Sequence, residues 1–278
     1  MALVTGAADG IGRAIAITLA ERGADVVVND LAKDACADTV SAVERVGRTC
    51  VALAADVSRS DQASALVQAT VQIFDRVDTL VNNAGVRSSR LPVLELPEDG
   101  WDQVMAVNLK GPFYLSKAVG RLMKNRGQGC IVNIASLAGH TPAKERADYC
   151  VSKAGLIMLS RVLALELGPY GVRVNAVAPE VVRTSLSAAT WSDPQWIRQR
   201  MDTHSLGASL RAPRGSGSRG LFGVGCGELR QWGCRPSDRR LVMASHRDRV
   251  CLVERAIRDG GAFICSRGMQ ALGSRRRQ

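Results

Sequence analysis

A serine, a tyrosine and a lysine in the middle of the chain have the types and spacing of a proton-transfer group. Ser136 ends the apolar run of residues 131–136, and Tyr149 and Lys153 follow in the segment YCVSK. A helix that carries both Tyr149 and Lys153 places them on one face. An ammonium nearby favours the phenolate, and a serine hydroxyl can hold a substrate oxygen. The group predicts proton exchange with an alcohol or a ketone, although the same tyrosine–lysine spacing is common in ordinary helices.

The N-terminus has the pattern of a phosphate-binding loop. The apolar residues 2–5 favour a strand, Gly6, Gly10 and Gly12 follow, and residues 13–21 have helical periodicity. In such a loop, the first glycine allows a tight turn, the second lets backbone approach a pyrophosphate, and the third lets the helix pack on the strand. A glycine turn alone is weak support for a nucleotide site. Placed between a strand and a helix, it predicts one.

An acidic residue at the end of the second predicted strand, residues 25–30, indicates the cofactor. Asp30 lies eighteen residues after Gly12, where a carboxylate can accept both hydroxyls of an adenosine ribose. A 2'-phosphate there would meet that carboxylate, and Asp9 adds a second acid. Arg13 is the one residue that could favour NADP. We therefore expect NAD, with NADP less favoured; the alternative for Asp30 is an ordinary turn residue.

With these residues in place, the chain resembles the short-chain dehydrogenase/reductase family from Leu3 to about Thr184. The motifs that carry the resemblance occur together and in the family's order: TGxxxGxG from Thr5, Asp56-Val57, Asn82-Asn83-Ala84-Gly85, Asn108, Ser136, Tyr149-x-x-x-Lys153 and Asn175-x-x-x-Pro179. The similar members include 3-oxoacyl-carrier-protein reductases and sugar or polyol dehydrogenases. The resemblance implies an NAD-dependent enzyme that transfers a hydride between nicotinamide and a secondary alcohol or ketone.

The resemblance also implies roles for single residues. Ser136 would orient the substrate, Tyr149 would be the acid and base, Lys153 would lower the tyrosine pKa and bind the nicotinamide ribose, and Asn108 would hold a water of the proton relay. One departure is Glu180, which stands where the family usually has a glycine. The residues implied to bind the cofactor are Gly6, Asp9, Gly10, Ile11, Gly12, Asp30, Asp56, Val57, Asn83, Ala84, Gly85, Tyr149, Lys153, Pro179, Val182 and Thr184.

Strands and helices alternate along the chain. Residues 77–82, 129–135 and 171–178 are apolar runs of strand length, and residues 60–74, 101–123 and 147–167 favour helices. Strict alternation predicts a Rossmann-type, doubly wound parallel sheet in an α/β fold with three layers, α/β/α. Ligands of such sheets bind beyond the carboxyl ends of the strands, where each motif falls.

Composition changes sharply near residue 206. Residues 1–205 carry 22 basic and 21 acidic side chains, whereas residues 206–278 carry 15 arginines, no lysine and 5 acids. Glycine and arginine without hydrophobic period do not support a packed core. We therefore predict a dehydrogenase domain at residues 1–206 that lacks its last helix and strand, and a disordered, non-native tail at 207–278.

A shifted reading frame explains the tail. Codons for Glu228 to Val242 can be chosen so that the next frame reads SYVNGAAVPVTAGW and then stops, which is similar to the family's closing strand. Arg211 to Ser218 shifts to ARPEEVAA, which is similar to the start of its last helix. Because codon degeneracy leaves freedom, the shift is a hypothesis that the gene sequence decides.

Other interpretations stay open. The basic tail could bind nucleic acid, and Glu180 together with the lost C-terminus could leave a catalytically impaired nucleotide-binding protein. Four cysteines lie in the tail, at Cys226, Cys234, Cys251 and Cys265. Their spacing fits no metal-binding pattern, so we expect no metal. Cysteines in apolar runs, with no secretory signal or membrane span, favour the cytoplasm. The family implies a homo-oligomer, a tetramer or dimer.

Overall fold

The structure is a computed structural model, and it describes residues 1–87, 89–179, 184–188, 192 and 194. Glu180, Val182 and the predicted tail of residues 207–278 lie outside the described residues, so the predictions made for them stay predictions.

Six parallel strands form one sheet in the order β3-β2-β1-β4-β5-β6. Each pair of neighbouring strands is joined in parallel register, for example Val4 with Val28 and Val81. The order reverses between β1 and β4, which is the switch point where doubly wound sheets bind ligands. The strands are β1 (Ala2–Thr5), β2 (Val26–Asp30), β3 (Cys50–Ala54), β4 (Thr79–Asn82), β5 (Gly129–Ile134) and β6 (Val172–Val177).

Helices connect the strands and cover both faces of the sheet. They are α1 (Gly10–Glu21), α2 (Ala37–Glu44), α3 (Ser60–Phe74), α4 (Glu98–Met105), α5 (Gly111–Arg126) and α6 (Ala147–Leu167). A π-helical turn (Ala106–Lys110) joins α4 to α5. The predicted fold class is confirmed.

The core has two halves because neighbouring strand residues face opposite sides. Val4 and Val28 pack with Ile15 and Leu19 of α1 on one face. Leu3 and Val27 face the other side, with α3 and α5. Every strand residue named here is fully buried. Buried strands of this kind hold the loops at their carboxyl ends in fixed positions.

The structure adds two elements that the sequence analysis did not predict, β3 and α2, and divides the helix predicted at residues 101–123 by the π turn. β3 is short, and two of its five residues are alanine, so that its hydrophobic pattern is weak. The π turn has no sequence signature, since it depends on what the buried Asn108 contacts.

Within the described part of the chain, no helix is long and apolar enough to cross a membrane. No group of His, Cys, Asp and Glu among those residues could hold a metal ion. Cys36, Cys50 and Cys130 are buried free thiols. Burial raises their pKa to about 11, 12 and 11, which keeps them protonated.

Candidate active site

The glycine loop lies directly after β1, at the switch point. Gly6 and Gly10 have φ of 59° and 60°, a region that side chains other than glycine rarely adopt. A Cβ on Gly6 would lie 2.7 Å from the Cα of Ala84, and a Cβ on Gly12 would meet the carbonyl of Gly6. Glycine is thus required on steric grounds, and the helix N-terminus at Gly10 and Ile11 opens toward the carboxyl edge of the sheet.

Asn83 and Thr5 tie this loop to the central strand. The side-chain nitrogen of Asn83 donates to the backbone oxygens of Thr5 and Gly6, at 2.9 and 2.8 Å. The hydroxyl of Thr5 in turn accepts from the backbone nitrogens of Asn83 and Ala84, both at 3.1 Å. These four bonds join the end of β4 to the start of the glycine loop, so the segment beginning at Asn83 is rigidly placed.

Asp30 ends β2 beside the same loop. One carboxylate oxygen accepts from the backbone nitrogen of Ala8 at 3.1 Å, and the other from that of Leu31 at 2.9 Å. Arg13, the residue that could favour NADP, pairs with Asp38 at 3.4 Å. Asp30 therefore lies at the edge of the glycine loop. The guanidinium of Arg13 is paired with Asp38.

Asp56 and Val57 lie in the loop that follows β3, next to the carboxyl end of β2. The carboxylate of Asp56 accepts from the backbone nitrogen and hydroxyl of Ser58, at 2.9 and 2.7 Å. Val57 is buried, and a Cβ on Gly111 would lie 3.1 Å from it. Asp56 thus fixes the turn that presents Val57.

Asn108 lies in the π turn and is fully buried. Its Oδ1 accepts from the backbone nitrogen of Val86 at 2.8 Å, and its Nδ2 donates to the carbonyl of Val86 at 3.0 Å and to the hydroxyl of Ser152 at 3.2 Å. Ser152 donates onward to the carbonyl of Tyr149 at 2.8 Å. π turns inside α-helices are frequent at functional sites; this one joins the loop after β4 to the helix that carries Tyr149.

Lys153 is buried one turn along α6 from Tyr149. Its Nζ donates to the carbonyl of Ile134 at 2.8 Å and lies 5.7 Å from the centre of the Tyr149 ring. A Cβ on Gly85 would be 3.6 Å from the same nitrogen. Burial lowers the pKa of the Lys153 ammonium to about 8, because the charged form loses its hydration.

The side chains of Ser136 and Tyr149 are near enough that hydrogen bonding from Ser136 favours the phenolate of Tyr149. Burial raises the pKa of Tyr149; the bond to Ser136 and the charge of Arg146 oppose that shift without reversing it. The Ser136 hydroxyl also accepts from the backbone nitrogen of Ala138 at 3.2 Å, which fixes its direction. The phenol therefore holds its proton at neutral pH in this structure.

Pro179, Thr184 and Asp9 are three further predicted residues that have contacts in the structure. The carbonyl of Pro179 accepts from the nitrogen of Leu137 at 3.0 Å. A Cβ on Gly10 would lie 2.9 Å from the methyl group of Thr184. A hydrogen bond from the Ser185 side chain is the main cause that lowers the pKa of Asp9.

Sequence reasoning did not assign roles to Ser152, Asn133 or Ser160. Asn82 donates to Asn133 at 2.7 Å, and Asn133 donates to Ser160 of α6 at 2.7 Å, all within the buried interior. A signal was present: polar side chains in apolar strands and on the inner face of a helix are hydrogen-bonded when buried. The chain of bonds fixes α6 against the central strands.

The donor set fits a nicotinamide dinucleotide. A helix N-terminus behind glycines suits a pyrophosphate, and an acid at the end of β2 suits a ribose. A buried ammonium between Tyr149 and Gly85 suits a second ribose. All lie along the carboxyl edge of one sheet.

Comparison with known proteins agrees with this fold. The family model described as short chain dehydrogenase matches residues 1–195. The chain belongs to the short chain dehydrogenase family, whose members are oxidoreductases that bind nicotinamide cofactors.

Relatives within the family have different substrates. The chain is 38% identical over 192 residues to an NAD-dependent glycerol dehydrogenase of Listeria innocua, covering 69% of this chain and 74% of the relative. It is 40% identical over 195 residues to a 3-oxoacyl-[acyl-carrier-protein] reductase of Synechocystis, covering 70% and 78%. The crystal structure of a putative short-chain alcohol dehydrogenase from Sinorhizobium meliloti matches with a TM-score of 0.70 and 38% identity, covering 72% and 79%.

Proposed function

We propose that this protein is an NAD-dependent dehydrogenase or reductase that acts on a secondary alcohol or ketone, with Ser136, Tyr149 and Lys153 as its catalytic residues and Asn108 as part of its proton relay. The observation that carries the proposal is the convergence of Ser136, Tyr149 and the buried Lys153 at the edge of the sheet that carries the glycine loop. A bound reduced nicotinamide would supply the hydride to the carbonyl carbon.

The residues of this chain then account for the proton. Tyr149 keeps its proton at neutral pH and can donate it to the oxygen of a ketone, while the Ser136 hydroxyl orients that oxygen. The Lys153 ammonium lies 5.7 Å from the ring and stabilises the phenolate that remains. Alcohol oxidation uses the same groups in the opposite direction.

Asn108 is the residue that we assign to the path by which protons reach the site. Its side chain connects the backbone of Val86 with Ser152, whose hydroxyl contacts the carbonyl of Tyr149. We assign Asn108 to the relay on this position and on the motif it matches. It would hold a water between Lys153 and solvent.

The position of Asp30 supports NAD over NADP. Its carboxylate lies against the nitrogen of Ala8 in the glycine loop, so a 2'-phosphate there would be repelled. Around it, Gly6, Gly10, Ile11 and Gly12 would hold the pyrophosphate. Asp56 and Val57 would contact the adenine, Asn83 to Gly85 would flank the nicotinamide half, and Asp9, Pro179, Val182 and Thr184 complete the proposed cofactor site.

We propose that the exposed apolar side of α6 packs against a second copy of this chain. The exposed residues Val151, Met158, Val162 and Leu165 recur at helical spacing along one side of α6, and Leu165 is 79% exposed. Apolar stripes of this kind on a surface helix mark protein interfaces. We propose a homo-oligomer with α6 in its interface. Free buried thiols at Cys36, Cys50 and Cys130 support a reducing compartment such as the cytoplasm.

Purified full-length protein separates this function from its alternatives. Nicotinamide absorbance is followed with a panel of polyols, ketones and 3-oxoacyl thioesters, using NAD(H) and NADP(H). Turnover that Tyr149→Phe abolishes supports the proposal. Cofactor binding without any turnover indicates an impaired nucleotide-binding protein, and salt-sensitive DNA binding lost on deleting residues 207–278 indicates a nucleic-acid function.

A further inference from the structure

Ser152 is a buried serine of α6 that lies between Tyr149 and Lys153 in sequence. Its hydroxyl donates to the carbonyl of Tyr149 at 2.8 Å and accepts from Nδ2 of Asn108 at 3.2 Å. A serine hydroxyl has one hydrogen, and an amide nitrogen can only donate. The hydrogen of Ser152 therefore belongs to the bond with Tyr149, and its lone pairs serve Asn108.

The amide of Asn108 is oriented by the loop after β4. Its Oδ1 accepts from the backbone nitrogen of Val86 at 2.8 Å, and its Nδ2 donates one hydrogen to the carbonyl of Val86 at 3.0 Å. The second hydrogen of Nδ2 goes to Ser152. Val86 therefore decides which way the amide faces, and the bond to Ser152 ties that amide to α6.

Gly85 shows how near Asn108 lies to Lys153. A Cβ on Gly85 would be 3.2 Å from Oδ1 of Asn108 and 3.6 Å from Nζ of Lys153. Both atoms therefore line the space that this glycine leaves open. Oδ1 uses one of its two lone pairs on Val86, and the second can accept from the ammonium or from a water between the two groups.

The π turn also packs directly on α6. A Cβ on Gly155 would lie 2.9 Å from a methyl carbon of Leu109, the residue after Asn108. Gly155 follows Ser152 by three residues, so the two contacts lie on the same side of α6. The helix and the π turn thus meet at adjacent residues, through a hydrogen bond at one and close apolar packing at the other.

Ser160 has an equivalent pair of bonds further along α6. Its hydroxyl donates to the carbonyl of Leu156 and accepts from Nδ2 of Asn133, both at 2.7 Å. Both serines are buried, and each ties α6 to an asparagine. Asn133 belongs to β5, whereas Asn108 belongs to the π turn. Ser160 is therefore a structural match for Ser152 that separates a contribution to the fold from one to the proton relay.

We propose that Ser152 is a positioning residue of the proton relay: through its bond to Asn108 it holds Oδ1 of that asparagine next to the Lys153 ammonium. The inference rests on the proposed function, which assigns Asn108 and Lys153 to the relay, and deepens it. Without the Ser152 hydroxyl, Nδ2 of the buried asparagine loses an acceptor and the π turn loses this bond to α6. The amide then moves away from Lys153.

Kinetics of the full-length protein test this role. Ser152→Ala, Ser152→Thr and Ser160→Ala are compared with the parent for kcat, KM and the solvent deuterium isotope effect on kcat, across pH, with a ketone that the parent reduces. We expect Ser152→Ala to lower kcat about three- to tenfold at unchanged KM, as the loss of one buried hydrogen bond allows. The solvent isotope effect should rise, because proton supply becomes slower.

The matched variants identify the cause of that loss. Ser152→Thr keeps a hydroxyl and should restore part of kcat, whereas Ser160→Ala should leave the isotope effect and the pH profile of the parent unchanged. An isotope effect in Ser152→Ala equal to the parent's overturns the inference, because a serine that only supports the fold does not slow proton transfer. Where Ser152→Ala is too unstable to assay, Ser152→Cys takes its place, since a thiol is a weaker hydrogen-bonding group.

A double-mutant cycle shows whether Ser152 acts through Asn108. In an Asn108→Ala background, Ser152→Ala should cause no further loss of kcat, because the residue that it positions is gone. Losses that multiply independently overturn the inference.

An NMR titration tests the positioning without turnover. The chain has six lysines, of which Lys153 is buried and the other five are exposed, so lysine labelled with ¹³C at Cε gives one signal with a pKa of about 8. We expect Ser152→Ala and Asn108→Ala each to lower the pKa of Lys153 by at least about 0.5, because an oxygen acceptor near the ammonium is withdrawn. Ser160→Ala should leave it unchanged.

The titration also keeps the inference distinct from the proposed function. A lowered pKa of Lys153 in Ser152→Ala, in a protein that reduces no ketone, supports the positioning role while the proposed function fails. An unchanged pKa in Ser152→Ala overturns the inference, and turnover by the parent then leaves the proposed function standing.

Discussion

The ammonium of the buried Lys153 donates to the carbonyl of Ile134 across 2.8 Å. This bond fixes the lysine between the end of β5 and α6. Among the described residues, this carbonyl is the hydrogen-bond partner of a charge that has been buried. The position serves the proposed chemistry at a cost in stability.

Replacing Lys153 by methionine should therefore stabilise the fold near neutral pH while abolishing turnover and weakening NAD binding. The folded-state pKa of about 8 is below the ordinary value of 10.5, so the unfolded chain binds more protons between these limits and parent stability rises with pH across them. The advantage of Lys153→Met should be roughly 3 kcal/mol at pH 7 and should shrink from pH 8 to 10.5. Urea unfolding across pH measures it, with Lys110→Met, an exposed lysine, as the control. An advantage that is constant with pH would contradict the assignment.

Tyr149→Phe should lower turnover by roughly 10² to 10⁴ and leave NAD binding intact, because it removes the titrating hydroxyl and keeps the ring. Stopped-flow or steady-state kinetics, combined with cofactor titration, measures both. Tyr170→Phe, at an exposed tyrosine beyond the other end of α6, is the matched control. Near-normal turnover in Tyr149→Phe would end the catalytic assignment.

Asp30→Ala should shift cofactor preference from NAD toward NADP. The change removes the carboxylate that lies 3.1 Å from the nitrogen of Ala8, and with it the repulsion of a 2'-phosphate. The ratio of kcat/KM for the two cofactors measures the shift, and Asp61→Ala, an exposed acid in the first turn of α3, serves as the control. A parent protein that already prefers NADP would show that the role given to Asp30 is wrong.

Asn108→Ala should destabilise the protein by about 1 to 3 kcal/mol and reduce turnover. It leaves the half-buried backbone nitrogen of Val86 and the buried hydroxyl of Ser152 without this partner. Ser152→Ala should have a smaller effect, because the bonds between Asn108 and Val86 persist. Denaturant unfolding and kinetics are compared with Asn125→Ala, at an exposed position of α5. A stability equal to the parent's would remove Asn108 from its structural role.

The tail prediction is tested on DNA. A shifted frame predicts that the codons for Glu228 to Val242 yield SYVNGAAVPVTAGW and a stop in the neighbouring frame. Sequencing the gene decides it directly, and codons that forbid this peptide reject the hypothesis. Protein made from the shifted frame should be a more soluble and stable oligomer than the chain as written.

The sequence by itself determined the parallel α/β class, the glycine loop and the acid at the end of β2. These follow from local rules: glycine where a Cβ has no room, apolar runs for buried strands, and spacing that puts Tyr149 and Lys153 on one helical face. It also placed Asn108 and Ser136 through motifs, without their contacts. The sequence analysis did not predict β3 and α2, because both segments have weak hydrophobic patterns. Packing in the folded protein outweighs the local preferences of such segments.

Only the tertiary structure decided which distant groups meet. Ser152 joins Asn108 to Tyr149, and Asn83 holds Gly6 across 77 positions of sequence, because parallel strands bring separate loops to one edge. Burial, which the sequence does not state residue by residue, raises the pKa of Tyr149 and lowers that of Lys153.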